Sequence, residues 1–173
     1  NKRTDMKETL IIAGFGGQGV LSMGKILAYS GVMQDFEVTW MPSYGPEMRG
    51  GTANCNVILS DTPVGSPIVQ HPNVLMVMNN PSLDKYEDTV APGGKIFVDS
   101  TLIGRKVRRT DVEAYYIPAT GLAGEMGVPT LANMLLLGAL VEKTGCVRFD
   151  SIAPALHKVI PARKADLFDV NMK

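Results

Sequence analysis

The sequence predicts an α/β protein, a three-layer α/β/α, Rossmann-like domain with a mainly parallel sheet. Three observations lead there. Short apolar runs with the composition of buried strands alternate with segments of helical periodicity, a glycine-rich turn joins the first such run to the first helix, and a second loop rich in glycine and proline follows the next strand. The chain of 173 residues is 45% hydrophobic and 20% charged, with 17 basic against 17 acidic side chains. A chain of this length buries roughly 70% of its unfolded surface, so residues 1–173 are expected to form one domain. The balanced charge argues against a disordered tail and against a nucleic-acid binder recruited by net charge.

Residues 9–13, rich in isoleucine and ending at glycines, suit a strand buried on both faces. Gly14 to Gly19 form its turn, and apolar residues at helical spacing predict a helix over 18–33, with Gly31 as its stop. A second strand is expected over 37–41, then a loop over 42–51, where Pro46 and three glycines break either periodic structure. Strands are expected at 54–59 and 74–78, a helix at 82–90, and strands at 96–100 and 114–118. A helix over 129–144 has proline at its start and Gly145 after its end. Its apolar residues occupy nearly every face, so it is expected to lie wholly buried, inside the domain or against another subunit. A short helix over 151–159 and a polar amphipathic one over 163–170 complete the pattern.

The longest apolar stretch, 131–141, contains Asn133 and falls short of the roughly 18 residues a membrane helix needs, so no span is expected. Glycines and Gln18 break the apolar region behind Lys2, Arg3 and Lys7, which therefore reads as strand and turn rather than as a secretory signal, and a cytoplasmic protein is expected. Cys55 and Cys146 stand 91 positions apart with no C-x-x-C, the pattern of two buried thiols rather than a disulfide framework or a metal site.

Gly14, Gly16 and Gly19 form G-x-G-x-x-G, with Gly17 and Gln18 inside it, between strand and helix, where backbone amides can cradle phosphate. The acidic residue that should close the second strand and hold a ribose is missing, and Glu37 lies at that strand's start. The turn therefore reads either as close helix-strand packing or as a contact for phosphate or a partner. In the loop PSYGPEMRGG, Tyr44, Glu47 and Arg49 sit among residues of special backbone angles, followed by Gly50 and Gly51. Arg49 offers a planar fork suited to carboxylate or phosphate; Glu47 is its candidate ion-pair partner, which would make the pair mere loop scaffolding.

His71 and His157 lack neighbours at ligand spacing, so no metal site is expected. No serine sits in a nucleophile elbow and no lysine follows the glycines as in a Walker loop. No catalytic residue is assigned. The run RKVRR, Arg105 to Arg109, reads as a solvated basic loop or as a contact for a phosphate or an acidic partner. Met41 and Met48, flanking the unusual loop, would suit a subunit interface.

Together, GFGGQGV at 14–20, SYGPEMRGG at 43–51 and N-x-x-x-L-G from Asn133 to Gly138 resemble the gamma subunit of the 2-oxoacid:ferredoxin oxidoreductases, over about 8–160. Similar chains form the third domain of single-chain pyruvate enzymes. The wording of the second motif and the strand after it is more similar to the 2-oxoglutarate and branched-chain members. The resemblance implies a complex that converts a 2-oxoacid and coenzyme A to acyl-coenzyme A and carbon dioxide, with electrons passing through iron–sulfur clusters to ferredoxin. It implies thiamine diphosphate with Mg in alpha and beta subunits, and a ferredoxin-like subunit as a further partner. The chain has no G-D-G pattern and no cluster-binding cysteine motif, a departure from members whose gamma portion is fused to a ferredoxin-like segment. No cofactor bound by this chain alone, no nucleic acid and no membrane are then expected. Gly14, Gly16, Gly17, Gln18, Gly19, Tyr44, Glu47, Arg49, Gly50, Gly51 and Asn133 are the candidate cofactor or interface residues. The alternative is a stand-alone Rossmann-like nucleotide-binding protein, or a purely structural scaffold.

Overall fold

The computed structural model describes residues 7–15, 19–43, 52–128, 131–148, 150 and 152. In chain order these form β1 (Lys7–Phe15), α1 (Val20–Met33), β2 (Glu37–Ser43), β3 (Thr52–Ser60), β4 (Val74–Val77), α2 (Asn80–Tyr86), β5 (Lys95–Asp99), β6 (Glu113–Ile117), α3 (Ala119–Glu125) and α4 (Ala132–Thr144). A 3-10 turn, Glu87–Thr89, extends α2. The six strands make one sheet in the order β2-β3-β1-β4-β5-β6.

Every neighbouring pair from β1 through β4 and β5 to β6 is parallel, whereas β3 runs antiparallel to both β1 and β2. The mainly parallel sheet is as expected; its reversed strand is not. A parallel crossover needs about a dozen residues or more, usually a helix, and only positions 44–51 separate β2 from β3, too few for one, in keeping with the antiparallel pairing of the two strands. β2 lies at the edge of the sheet, where a proline such as Pro42 is tolerated.

Strand side chains alternate between two cores. Leu10, Ile12, Val57, Leu59, Met76 and Phe97 face a layer containing α1 and α4, while Ile11, Ala13, Ile58, Leu75, Val77 and Ile96 face the side of Leu83 in α2 and of Ile103. Two glycines let α1 lie close on the sheet. A Cβ on Gly24 would come within 2.5 Å of Cys55 Sγ and 2.8 Å of Trp40 Nε1, and one on Gly31 within 2.7 Å of Leu59. Gly31 therefore serves packing and does not stop the helix, which continues to Met33 and ends before Asp35 at φ 61.

α4 ends as expected, with Gly145 at φ 61 donating its N–H to the Val141 carbonyl at 2.8 Å. Its described start is Ala132; Pro129 and the expected helix over 163–170 lie outside the described residues, as does nearly all of the one over 151–159. The helix is not wholly buried by its own chain. Leu136, Leu137, Leu140 and Val141 are buried, while Met134, Leu135, Gly138 and Ala139 remain half-buried. α3 was not foreseen, because Gly121 and Gly124 weaken its intrinsic propensity. The buried Asp99 at the end of β5 holds its first turn, accepting from Thr120 Oγ1 at 2.6 Å and from the Thr120 N–H at 3.4 Å.

Candidate functional site

The carboxyl ends of β1 and β2 lie at the same edge of the sheet. Phe15 is opposite Thr52 and Ser43 opposite Asn54, so only the start of β3 stands between the points from which the two glycine-rich segments depart. Gly14 is buried opposite Ala53. Gly16, Gly17, Gln18, Tyr44, Glu47, Arg49, Gly50 and Gly51 lie outside the described residues. Between β1 and β4 the strand order reverses direction: α1 leaves on one face and α2 on the other, which in open α/β sheets opens a crevice at the carboxyl edge.

Two of the candidates meet there. Gly19 caps α1 in the left-handed region, at φ 78 and ψ 20, and a Cβ at this position would lie 2.3 Å from Asn133 Nδ2. Asn133 is itself 9% exposed, in the first turn of α4. The first and third motifs, more than a hundred residues apart, thus form one contact at the start of α1.

Asn79, two residues beyond β4, is not among the candidates that stand out in the sequence. It caps α2, its Oδ1 accepting the Ser82 N–H at 2.8 Å, and its Nδ2 is buried without a hydrogen-bond partner. Asn before a proline in the first helical turn was the signal. Phe15, Leu102 and Leu122, which follow or end strands at this edge, are each about 40% exposed. Glu37 starts β2 opposite Ser60, at the far edge, so it cannot serve a ribose beside the glycine turn.

Residues 9–173 match the family model described as pyruvate ferredoxin/flavodoxin oxidoreductase. The chain belongs to that family. It is 36% identical over 163 residues to the 2-oxoglutarate synthase subunit KorC of Methanocaldococcus jannaschii, covering 92% of this chain and 87% of the relative. Against the ketoisovalerate oxidoreductase subunit VorA of Methanothermobacter thermautotrophicus it is 42% identical over 164 residues, 94% of this chain but 34% of the longer VorA. The fold is shared with the gamma subunit of a keto/oxoacid ferredoxin oxidoreductase from Geobacter sulfurreducens PCA, with TM-score 0.83 and 27% identity over 96% of this chain and 93% of the other. Within the pyruvate ferredoxin/flavodoxin oxidoreductase family the chain thus corresponds to the gamma-type subunits of 2-oxoacid:ferredoxin oxidoreductases.

In this family member two side chains of the basic run, Arg105 and Arg109, are engaged by carboxylates of the chain itself, while Lys106 and Arg108 remain exposed. Arg105 reaches Asp84 at 2.8 Å and the buried Glu87 at 3.2 Å, the Arg108 N–H donates to Glu87 at 2.7 Å, and Arg109 grips Asp111 with two hydrogen bonds. The run latches the segment after β5 onto α2. Both cysteines are buried and free. Burial pushes the Cys55 thiol up to about 12 and that of Cys146 to about 11, which disfavours the thiolate that metals bind. Among the described residues no group of three His, Cys, Asp or Glu side chains could hold a metal ion, and His71 Nδ1 lies 3.2 Å from the Thr89 carbonyl. No described helix is long and apolar enough to cross a membrane.

Proposed function

We propose that this chain is the gamma-type subunit of a thiamine-diphosphate-dependent 2-oxoacid:ferredoxin oxidoreductase, with 2-oxoglutarate as the first candidate substrate. The complex takes a 2-oxoacid, coenzyme A and oxidised ferredoxin to acyl-coenzyme A, carbon dioxide and reduced ferredoxin. Thiamine diphosphate with Mg supplies the carbon chemistry, and iron–sulfur clusters carry the electrons. In this reading those groups belong to partner chains; the clusters need thiolates, and the two thiols here are buried and shifted against ionisation. The observation that carries the reading is family membership together with the left-handed Gly19 turn opening α1 at the switch-point edge.

In this reading the carboxyl edge faces the alpha and beta subunits, and a ferredoxin-like subunit completes the complex. Exposed Phe15, Leu102 and Leu122 give that edge apolar surface for a partner to cover. The amides of Gly16 to Gly19 and the Arg49 guanidinium are the donors for the phosphates of coenzyme A, with Glu47 orienting Arg49. Asn133 steadies the turn by its contact with Gly19.

The test is Arg49→Lys in a complex reconstituted with the thiamine-bearing subunits. The substitution keeps the charge but loses the bidentate fork, so it is expected to raise the apparent KM for coenzyme A or weaken assembly at unchanged melting temperature. A variant that melts lower yet assembles and uses coenzyme A normally would reduce the loop to scaffolding.

A further inference from the structure

At the opposite edge of the sheet, where β1, β4 and β5 begin, there is a cleft of about 170 Å³ that the proposed function does not use. Its walls include Glu8 at the start of β1, Lys95 at the start of β5, Asn73, the glycines Gly93 and Gly94, and Thr144 in the last turn of α4. The two charged side chains are incompletely matched. Lys95 makes its ion pair with Glu113, at 3.8 Å, and Glu8 feels Lys95 only as a neighbouring charge. Burial raises the Glu8 carboxyl above its ordinary value, and this outweighs the help from Lys95 and from a hydrogen bond with Asn73. The carboxylate is thus partly desolvated with too little positive charge around it. The carboxyl end of α4 adds the negative end of a helix dipole beside it.

We propose that this cleft binds a small zwitterion, an α-amino acid with a short side chain, its ammonium on Glu8 and its carboxylate on Lys95. The size fits, because an engineered cavity of about 150 Å³ holds a molecule as large as benzene. The charges fit as well. A lone cation would be repelled by Lys95 and a lone anion by Glu8, whereas a zwitterion sets an opposite charge against each, and the three donors of the Lys95 ammonium leave room for a carboxylate beside its 3.8 Å pair with Glu113. The site is remote from the glycine turn, so its occupant is an effector and not a substrate. α4 joins the two, with Asn133 against Gly19 at its start and Thr144 on the cleft at its end.

The experiment is an NMR titration of the full chain with L-alanine, followed at the backbone amides of Gly93, Gly94 and Thr144, beside parallel titrations with ethylamine and with propionate. Saturable shifts with alanine are expected, and about tenfold weaker binding of the two singly charged analogues. Glu8→Gln and Lys95→Met are each expected to weaken alanine about tenfold while preserving amide dispersion. Absence of a saturable shift, an equal response to ethylamine or propionate, or alanine binding unchanged in both variants would overturn the proposal. Should Glu8→Gln fail to fold, Lys95→Met and the ligand comparison on the unmodified chain still decide it.

Discussion

Gly19 is held by two separate constraints, and a double-mutant cycle separates them. A side chain in its left-handed conformation costs roughly 1–2 kcal/mol, and the Cβ would also strike Asn133 Nδ2, 2.3 Å away. Gly19→Ala is expected to lower stability by about 3 kcal/mol in urea unfolding, and by only about 1 kcal/mol in an Asn133→Ala background, where the conformational cost alone remains. An equal penalty in both backgrounds would mean that the contact contributes nothing. The cysteines make a second case. Their thiols ionise near 9.0 when unperturbed but at about 12 for Cys55 and about 11 for Cys146 in the fold. Above pH 9 the native state therefore binds more protons than the unfolded one, so stability is constant below about 9 and falls as pH rises towards the folded values. Each thiol contributes a slope of about 1.4 kcal/mol per pH unit within its window. Urea midpoints at pH 8 and pH 10.5 should show the loss, and Cys55→Ala should make it smaller; an unchanged pH dependence would rule this thiol out as a source.

Among the elements, α4 shows what periodicity can and cannot reveal. Its C-terminal stop was legible, since Gly145 is used as glycine after a helix usually is, but an apolar residue on every face does not say which face the chain itself covers. Leu136 is fully buried, whereas Leu135 is only half-buried. Leu136→Asp is therefore expected to yield insoluble protein, because an unpaired charge in the core costs several kcal/mol. Leu135→Asp should leave a folded chain that no longer joins its partners, with gel filtration of each variant beside the thiamine-bearing subunits as the readout. A Leu135→Asp chain that assembles normally would place this face in solvent. The latch around Glu87 was hidden for a different reason. Arg105 and Arg109 form a basic run in the sequence; Asp111 stands two residues from Arg109, but Asp84 and Glu87 are brought to Arg105 only when the segment after β5 folds onto α2. Breaking a buried pair costs about 3–5 kcal/mol and an exposed one under about 1 kcal/mol, so Glu87, 3% exposed, matters more to this latch than Asp111.

For the molecule as a whole, alternation of strands and helices was enough to place five strands in one direction, but not to orient β3, because the signal for its reversal was the shortness of the stretch before it and not a motif within it. The contact between Gly19 and Asn133 was likewise invisible, although both residues stood out, since nothing local joins positions so far apart in the chain. What the sequence did announce is a division of labour, and that can be measured. A cluster of the [2Fe–2S] or [4Fe–4S] kind held by thiolates takes four cysteines, and this chain has 2, both buried and with thiols shifted away from ionisation. The groups assigned to the edge in the proposed reading are backbone amides, an arginine and apolar side chains, which bind and orient but do not move electrons. The purified chain is accordingly expected to show no visible cluster absorbance and to reduce no viologen dye with 2-oxoglutarate and coenzyme A. Adding it to partner subunits that lack it should restore turnover with coenzyme A. If the chain alone reduced the dye, the electron path would have to run through it, and its place as the closing subunit of the complex would be wrong.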